Sequence, residues 1–269
     1  MGMLYNRLLI ILNEESYDST YYHIALIMLN HLEMLPSMSI TSLAELCNVS
    51  KSTISKFIRN IGYEDFSEFR YAAVFSENKY HYQFSYGNDV MSYLENNGTD
   101  AYILALQHDI LATYQSLDWD KIHMLVSDLI AYERVAAFGL LFSETAAIDL
   151  QTKLAYNKKF IVTNMNDLKQ EAFIEHAKEE TLIIVFSDSG EFLDKYQNIE
   201  DFTNKRSFQN TKAKVVVITS NEEVQHDPRV AYTILYKKMQ NICTHRTIYG
   251  ILTDIIAFEY HKMKKKDTQ

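Results

Sequence analysis

Cysteine and proline occur only twice each in these 269 residues, and glycine only seven times. Cys47 and Cys243 are far apart and suggest no disulfide framework, so the expected setting is the reducing cytoplasm. With so little Pro and Gly there is scant low-complexity sequence. No apolar run reaches membrane-spanning length, and the opening MGMLYNRLLIILNEESY lacks the charged, apolar, small-residue succession of a signal peptide. No membrane partner is therefore expected. His81 has no neighbouring His/Cys cluster, so neither a metal site nor a cofactor is expected. Basic residues are also in deficit, 26 against 35 acidic, for a net charge of −9. That balance argues against nonspecific coating of nucleic acid, though not against a locally charged, site-specific binder. Against these shortages stand 47% apolar residues and nineteen tyrosines, enough to bury a core in each of two domains.

The most informative stretch runs from Ser39 to Phe69. Two short amphipathic segments, 42–47 and 51–61, flank a corner at Asn48-Val49. Leu43, Leu46, Val49, Ile54, Phe57, Ile58 and Ile61 fall near helical spacing and give each segment one apolar face. Ala44 allows close approach, and Asn48 tolerates the left-handed backbone a tight corner needs. Ser50 precedes the second helix as a candidate N-cap. The polar side of that helix carries Lys51, Ser52, Thr53, Ser55, Lys56 and Arg59, short hydroxyls with long cations. Such a face suits base edges and phosphates, and the pattern predicts a helix-turn-helix.

Elsewhere the first domain reads as all-helical. Helices are expected over 3–13, over 20–35 (capped by Ser19 or Thr20 and stopped by Pro36), and from Phe66 to about Glu77. The punctuated stretch 79–100, with Gly87, Asn88, Asn96, Asn97 and Gly98, reads as a linker. Beyond it, helices over 100–115 and 118–131 precede five short apolar runs: 135–138, 160–162, 182–186, 215–218 and 232–235. Such runs alternating with helix-length segments imply βαβ units and a parallel sheet, with a binding crevice at the strand carboxyl ends. Loops at two of those ends, Gly139–Ser143 and Phe186–Gly190, offer hydroxyls and N–H groups where helices are expected to begin.

The first stretch resembles the N-terminal domain of the RpiR family of bacterial transcription regulators. The family run is matched by Ser39-Ile40, Leu43-Ala44, Val49-Ser50, Thr53-Ile54, Lys56-Phe57, Ile61-Gly62-Tyr63, Phe66 and Glu68-Phe69. Lys56 stands where the family more often has Arg; it can hold a phosphate but cannot form the bidentate fork to guanine. The second half resembles a SIS (sugar isomerase) domain. Gly139 and Ser143, then Ala146 and Lys153-Leu154, match one family pattern, and Ser187, Ser189 and Gly190 match another. Val217-Ile218-Thr219 and a closing helix with Arg246 and Asp254 complete it.

The resemblance implies an α + α/β architecture. An all-helical helix-turn-helix bundle over 1–78 and a linker over 79–100 would lead to a three-layer SIS domain over 101–269, with a five-stranded parallel sheet. It implies a dimer or tetramer that binds double-stranded operator DNA through Ser50, Lys51, Ser52, Thr53, Ser55, Lys56 and Arg59. A phosphosugar effector would sit at Ser143, Ser187, Ser189 and Gly190. Two positions depart from the pattern at that site: Leu141 replaces a glycine, and Phe192 replaces a threonine, placing a ring where a phosphate oxygen is expected. Either the effector site is degraded, with Ser187 and Ser189 merely capping a helix, or it is altered for a larger or less charged sugar derivative. The alternative class is a sugar-phosphate isomerase, for which Glu144, Glu171, Glu191, His176 and His245 are available as bases. The N-terminal domain favours the regulator, with no catalytic residues.

Overall fold

The computed structural model describes residues 3–73, 85–193, 207–238, 242 and 244–267. They divide into two compact units: residues 1–90 with 166–168, and residues 91–165 with 169–269. In the first, α1 (Met3–Glu14), α2 (Thr20–Asn30), α3 (Ile40–Leu46), α4 (Lys51–Asn60) and α5 (66–73) surround one apolar cluster. Leu8, Ile24, Met28, Leu43, Ile54, Phe57, Ile58 and Phe69 are fully buried in it. Each such side chain contributes about 1.5–3 kcal/mol of burial. The Ser19 hydroxyl caps α2, accepting from the Tyr22 N–H at 3.0 Å. The expected helix over 20–35 ends early: α2 stops at Asn30, and Leu32–Ser37 forms a 3₁₀ helix that contains Pro36. Residues 74–77 of the fifth helix lie outside the described residues.

The interval expected to be a linker differs as well. A helix, α6 (Ser85–Ser116), occupies 85–100, while 79–84 lie outside the described residues. What the sequence shows there is a break rather than a loop. Gly98 adopts φ 80°, ψ 170° inside the helical run, a backbone that side-chain-bearing residues rarely adopt.

The second unit is an α/β domain. After α7 (Trp119–Ala131), capped by the Asp118 carboxylate, come β1 (Arg134–Phe138), α8 (Phe142–Tyr156), α9 (Asp167–His176), β2 (Thr181–Phe186), α10 (Ser207–Asn210), β3 (Lys214–Thr219), β4 (Tyr232–Leu235) and α11 (His245–Asp267). Among the described residues the sheet has four parallel strands in the order β1-β2-β3-β4, not the expected five. The run 160–162 contributes only an isolated parallel bridge, Val162 to Ala136, on the free edge of β1. Lys158 turns the chain with φ 57°, and Phe160 and Val162 stay exposed, so one residue pairs before the chain leaves.

Both faces of the sheet are covered, which is why its strands are apolar throughout rather than alternating. Val135, Ala137, Leu182, Ile184, Phe186, Val216 and Ile218 pack with α7, α8 and α11. Ala136, Phe138, Ile183, Val185, Val215 and Val217 pack on the opposite side with Ile174, Leu193, Phe208 and Val224. The chain leaves β1 through α8 towards Val162 on one side, then returns through α9 to β2 on the other. The connections diverge after β1 and β2, and that divergence opens the crevice at their carboxyl ends.

Candidate nucleic-acid interface and effector crevice

The helix-turn-helix is held by its ends. Ser39 caps α3, accepting from the Ser42 N–H at 3.1 Å. At the corner Asn48 takes φ 52°; its N–H reaches Glu45 O at 3.0 Å, and the Val49 N–H reaches Ala44 O at 2.9 Å. This is a Schellman closure with asparagine in the left-handed position. Ser50 then caps α4, accepting from the Thr53 N–H at 3.1 Å. A second Schellman closure ends α4. Gly62 has φ 88°, its N–H donates to Arg59 O at 3.0 Å, and the Tyr63 N–H donates to Ile58 O at 3.1 Å. The Ile61-Gly62-Tyr63 triplet is therefore a helix terminator by chemistry.

Ile54, Phe57 and Ile58 point α4 into the core, which turns Lys51, Ser52, Lys56 and Arg59 outward and leaves Thr53 and Ser55 partly exposed. The hydroxyls are not equivalent. Ser50 Oγ lies 2.8 Å from Thr53 Oγ1 and 3.3 Å from Ser52 Oγ, so these three form one cluster at the N-terminus of α4. Ser55 donates its hydroxyl to Lys51 O at 3.0 Å. Ser52 and Thr53 thus stand at the N-terminal end of α4, while Lys56 and Arg59 stand further along the same helix.

In the crevice, Gly139 begins the turn into α8. A Cβ there would meet Ser143 O at 2.6 Å, so only glycine fits. Leu141 precedes α8 with φ 57°, ψ −114°, a glycine-like backbone kept although the side chain is leucine. After β2 the chain makes only a 3₁₀ turn, Glu191–Leu193, and 194–206 lie outside the described residues. Gly190 has φ 81°, and a Cβ would stand 2.4 Å from Val224 Cγ2.

The four expected ligand residues lie in the loops after β1 and β2, which are neighbouring parallel strands. Ser187 is buried, and its Oγ accepts from the Phe192 N–H at 3.3 Å. Ser189 is exposed, its Oγ 3.4 Å from the Glu191 N–H. Ser143 stands beside Tyr249, a residue of the core on the α8/α11 side of the sheet. Among the described residues no hydrogen bond joins Ser143 to Ser187 or Ser189. Nor does Phe192 stand in the crevice as expected. Its ring packs edge-on against Phe208, 5.8 Å between centroids, beside the core on the α9 face. An aromatic ring gains more there than in a wet crevice.

The residue between the two serines organises the site instead. The Asp188 carboxylate accepts from Ser220 Oγ at 2.7 Å, from the Tyr236 hydroxyl, and from Lys238 Nζ at 2.5 Å, and His245 Nδ1 lies 3.9 Å away. Tyr236 continues to Tyr249, 3.4 Å between hydroxyls. Burial pushes the Asp188 carboxyl up, but the Lys238 charge with the Lys238 and Tyr236 hydrogen bonds outweighs it and leaves the group below the usual carboxylate range. Burial lowers His245, the Asp188 charge opposes, and Lys238 and Arg246 add to the lowering, so the imidazole is neutral at pH 7. Tyr236 and Tyr249 are held far above the ordinary phenol range, chiefly by burial.

Sequence reasoning missed Asp188, Tyr236, Lys238 and Tyr249. The only local signal was an ionisable residue inside the serine motif. Of the candidate bases, Glu191 and His176 are exposed, while Glu144 on α8 and Glu171 on α9 are buried. His245 Nδ1 lies 3.9 Å from Asp188 in the crevice cluster. The described residues hold no group of three or more His, Cys, Asp or Glu placed to bind a metal ion, and no helix among them is long and apolar enough to cross a membrane. His81 lies outside them.

Capped helices, a tight corner and an outward cationic face define a helix-turn-helix DNA-binding domain joined to an α/β domain. Residues 10–76 match the family model described as "Helix-turn-helix domain, rpiR family". The N-terminal domain is thus a helix-turn-helix domain of the rpiR type. It is 19% identical over 259 residues to an uncharacterized HTH-type transcriptional regulator in the aarA 3′ region of Providencia stuartii, across 92% of this chain and 88% of that one. Among solved structures it is similar to the Vibrio vulnificus NanR protein complexed with ManNAc-6P, with TM-score 0.50 and 15% identity over 98% of this chain and 93% of that one. That likeness places the same order of helical and α/β domains in both.

Proposed function

We propose that α4 reads operator DNA through Lys51, Ser52, Thr53, Lys56 and Arg59, with Ser50 and Ser55 shaping the helix, and that the α/β domain senses a phosphosugar or related sugar derivative. The chain acts as a dimer or tetramer, so two α4 helices meet half-sites about one or more helical turns apart. Effector binding biases their placement. The observation that carries this reading is the outward hydroxyl-and-cation face of α4 on a helix-turn-helix fixed at both ends by its own caps. The sugar derivative is argued from the crevice and from the ligand held by the Vibrio protein.

Isomerase chemistry needs a base beside the sugar carbonyl. The candidate carboxylates are divided between buried helix positions and the surface, which supports regulation without turnover. The test is to select bound genomic fragments with the full chain and follow their release by anisotropy as sugar derivatives are added. Recovery of discrete fragments whose affinity changes with a sugar derivative is the expected result. Steady isomerisation of a sugar phosphate, without sequence-selective DNA binding, contradicts the proposal.

A further inference from the structure

We infer that the outward face of α6 is where a second copy of this chain docks. This rests on the dimer or tetramer of the reading above and names the surface that builds it. Periodicity is the first argument. Within the second unit, residues 101–117 of α6 turn Ala105, Asp109, Thr113 and Leu117 inward, a buried row at every fourth position. Thr113 donates to Lys237 O at 2.9 Å, and Asp109 accepts from Thr244 Oγ1 at 2.5 Å, so that face is fully engaged. A helix with one buried face ordinarily carries charged residues on the other. Here the outer face presents Ile103, Leu104, Leu111 and Tyr114, each half exposed or more, with Gln107 and His108 between them. Asp109 is the one Asp, Glu, Lys or Arg in 101–117, in a chain that is 23% charged. Apolar residues on both faces are the pattern of a helix covered on both.

Area and charge are the second argument. The stripe continues onto α7, where the Tyr114 ring meets the Trp119 ring edge-on, 6.2 Å between centroids, and Trp119 stays 38% exposed. A buried aromatic covers about 150–250 Å², so a half-exposed large side chain offers about 100 Å². Ile103, Leu104, Leu111, Tyr114 and Trp119, with the two polar residues between them, supply about 600–700 Å² on each copy, close to the roughly 800 Å² per partner of a standard stable interface. Charge selects the occupant. The chain carries a net charge of −9, so two copies repel each other in general. A two-fold contact sets a patch against itself, which brings any charge within it near its own sign. The α6 face has no acid or base on it and meets its copy without that penalty. The same neutrality gives a strongly charged partner nothing to pair with.

The experiment is sedimentation velocity on the full chain from nanomolar to micromolar concentration, with Leu104→Glu and Leu111→Glu beside it. The unaltered chain should self-associate. Each variant carries a carboxylate into an apolar contact and should weaken that association about a hundredfold or more. Both positions are exposed, so circular dichroism should show each variant folded. Trp119, the only tryptophan, gives a second reading that needs no variant. Diluting the unaltered chain through dissociation should raise acrylamide quenching of its emission, with the midpoint found by sedimentation. Association unchanged in both variants, or quenching that does not follow dissociation, overturns the inference and leaves the oligomer intact. An unaltered chain that is monomeric at micromolar concentration overturns the inference and the oligomer together.

Discussion

Replacing Gly190 by Ala tests how the loop after β2 is held. Two costs add. An L-residue at φ 81° pays about 1–2 kcal/mol for the left-handed backbone. The new methyl would stand 2.4 Å from Val224 Cγ2, and Val224, a stiff β-branched residue only 7% exposed, has little room to yield. Overpacking of that kind costs about 1–3 kcal/mol. A less flexible unfolded chain returns about 0.4–1 kcal/mol, leaving a net loss of about 2–4 kcal/mol. At about 2–4 °C per kcal/mol for a domain of this size, the melting temperature should fall by about 5–15 °C. Trp119 is the only tryptophan and lies in α7 of the same unit, so its fluorescence reports this domain without the other. Adding Val224→Ala removes the clash and leaves the backbone term. The pair should therefore show a favourable coupling of about 1–3 kcal/mol. A Gly190→Ala protein that melts with the unaltered one would refute the reasoning, and so would simple additivity with Val224→Ala.

Other consequences are measurable in the same way. Ser50→Ala removes the α4 cap and should destabilise the N-terminal domain by about 1 kcal/mol in urea titrations followed by circular dichroism. Phe192→Thr withdraws a ring from the Phe208 contact; it should cost about 2 kcal/mol and give no calorimetric gain in phosphosugar binding. His245 has a lowered pKa in the folded chain, so the unfolded chain takes its proton first. Its contribution is complete above about pH 6.5 and is lost as pH falls towards the folded value, by at most about 1.4 kcal/mol per pH unit. His245→Gln should flatten urea midpoints measured from pH 7.5 to 5.5. Cys47 is buried, with its thiol pushed up to about 11, so in a Cys243→Ser background it should resist alkylation at pH 8 until the domain unfolds.

The helix-turn-helix was legible because its signals are local. Asn48, Ser50 and Gly62 act within a few residues of themselves, and the apolar spacing of Ile54, Phe57 and Ile58 needs only one helix to interpret. Four of the five expected strands were legible for a similar reason, since buried β-branched runs show without knowing their neighbours. The fifth was not. Phe160–Val162 is as apolar as the others, but only Val162 finds a ladder partner. The crevice was harder still. Leu141 looked like a lost glycine, yet its backbone keeps the glycine conformation, because the turn around Gly139 fixes the path more firmly than the residue type does. Phe192 looked like an obstruction until the core beside Phe208 drew it away. Asp188 meets Tyr236 and Lys238 only through the order of β2, β3 and β4, a relation that no spacing along the chain reveals.

The most direct test of the account is selection of random duplex DNA by the full chain, followed by salt titration of the winner with unaltered and Lys56→Ala protein. The account predicts an inverted repeat with half-sites about one or more helical turns apart, and weaker binding by Lys56→Ala with a salt slope reduced by about one phosphate contact. No enriched sequence, or an enriched one bound by Lys56→Ala with unchanged affinity and slope, would contradict the assignment of α4 as the element that meets DNA.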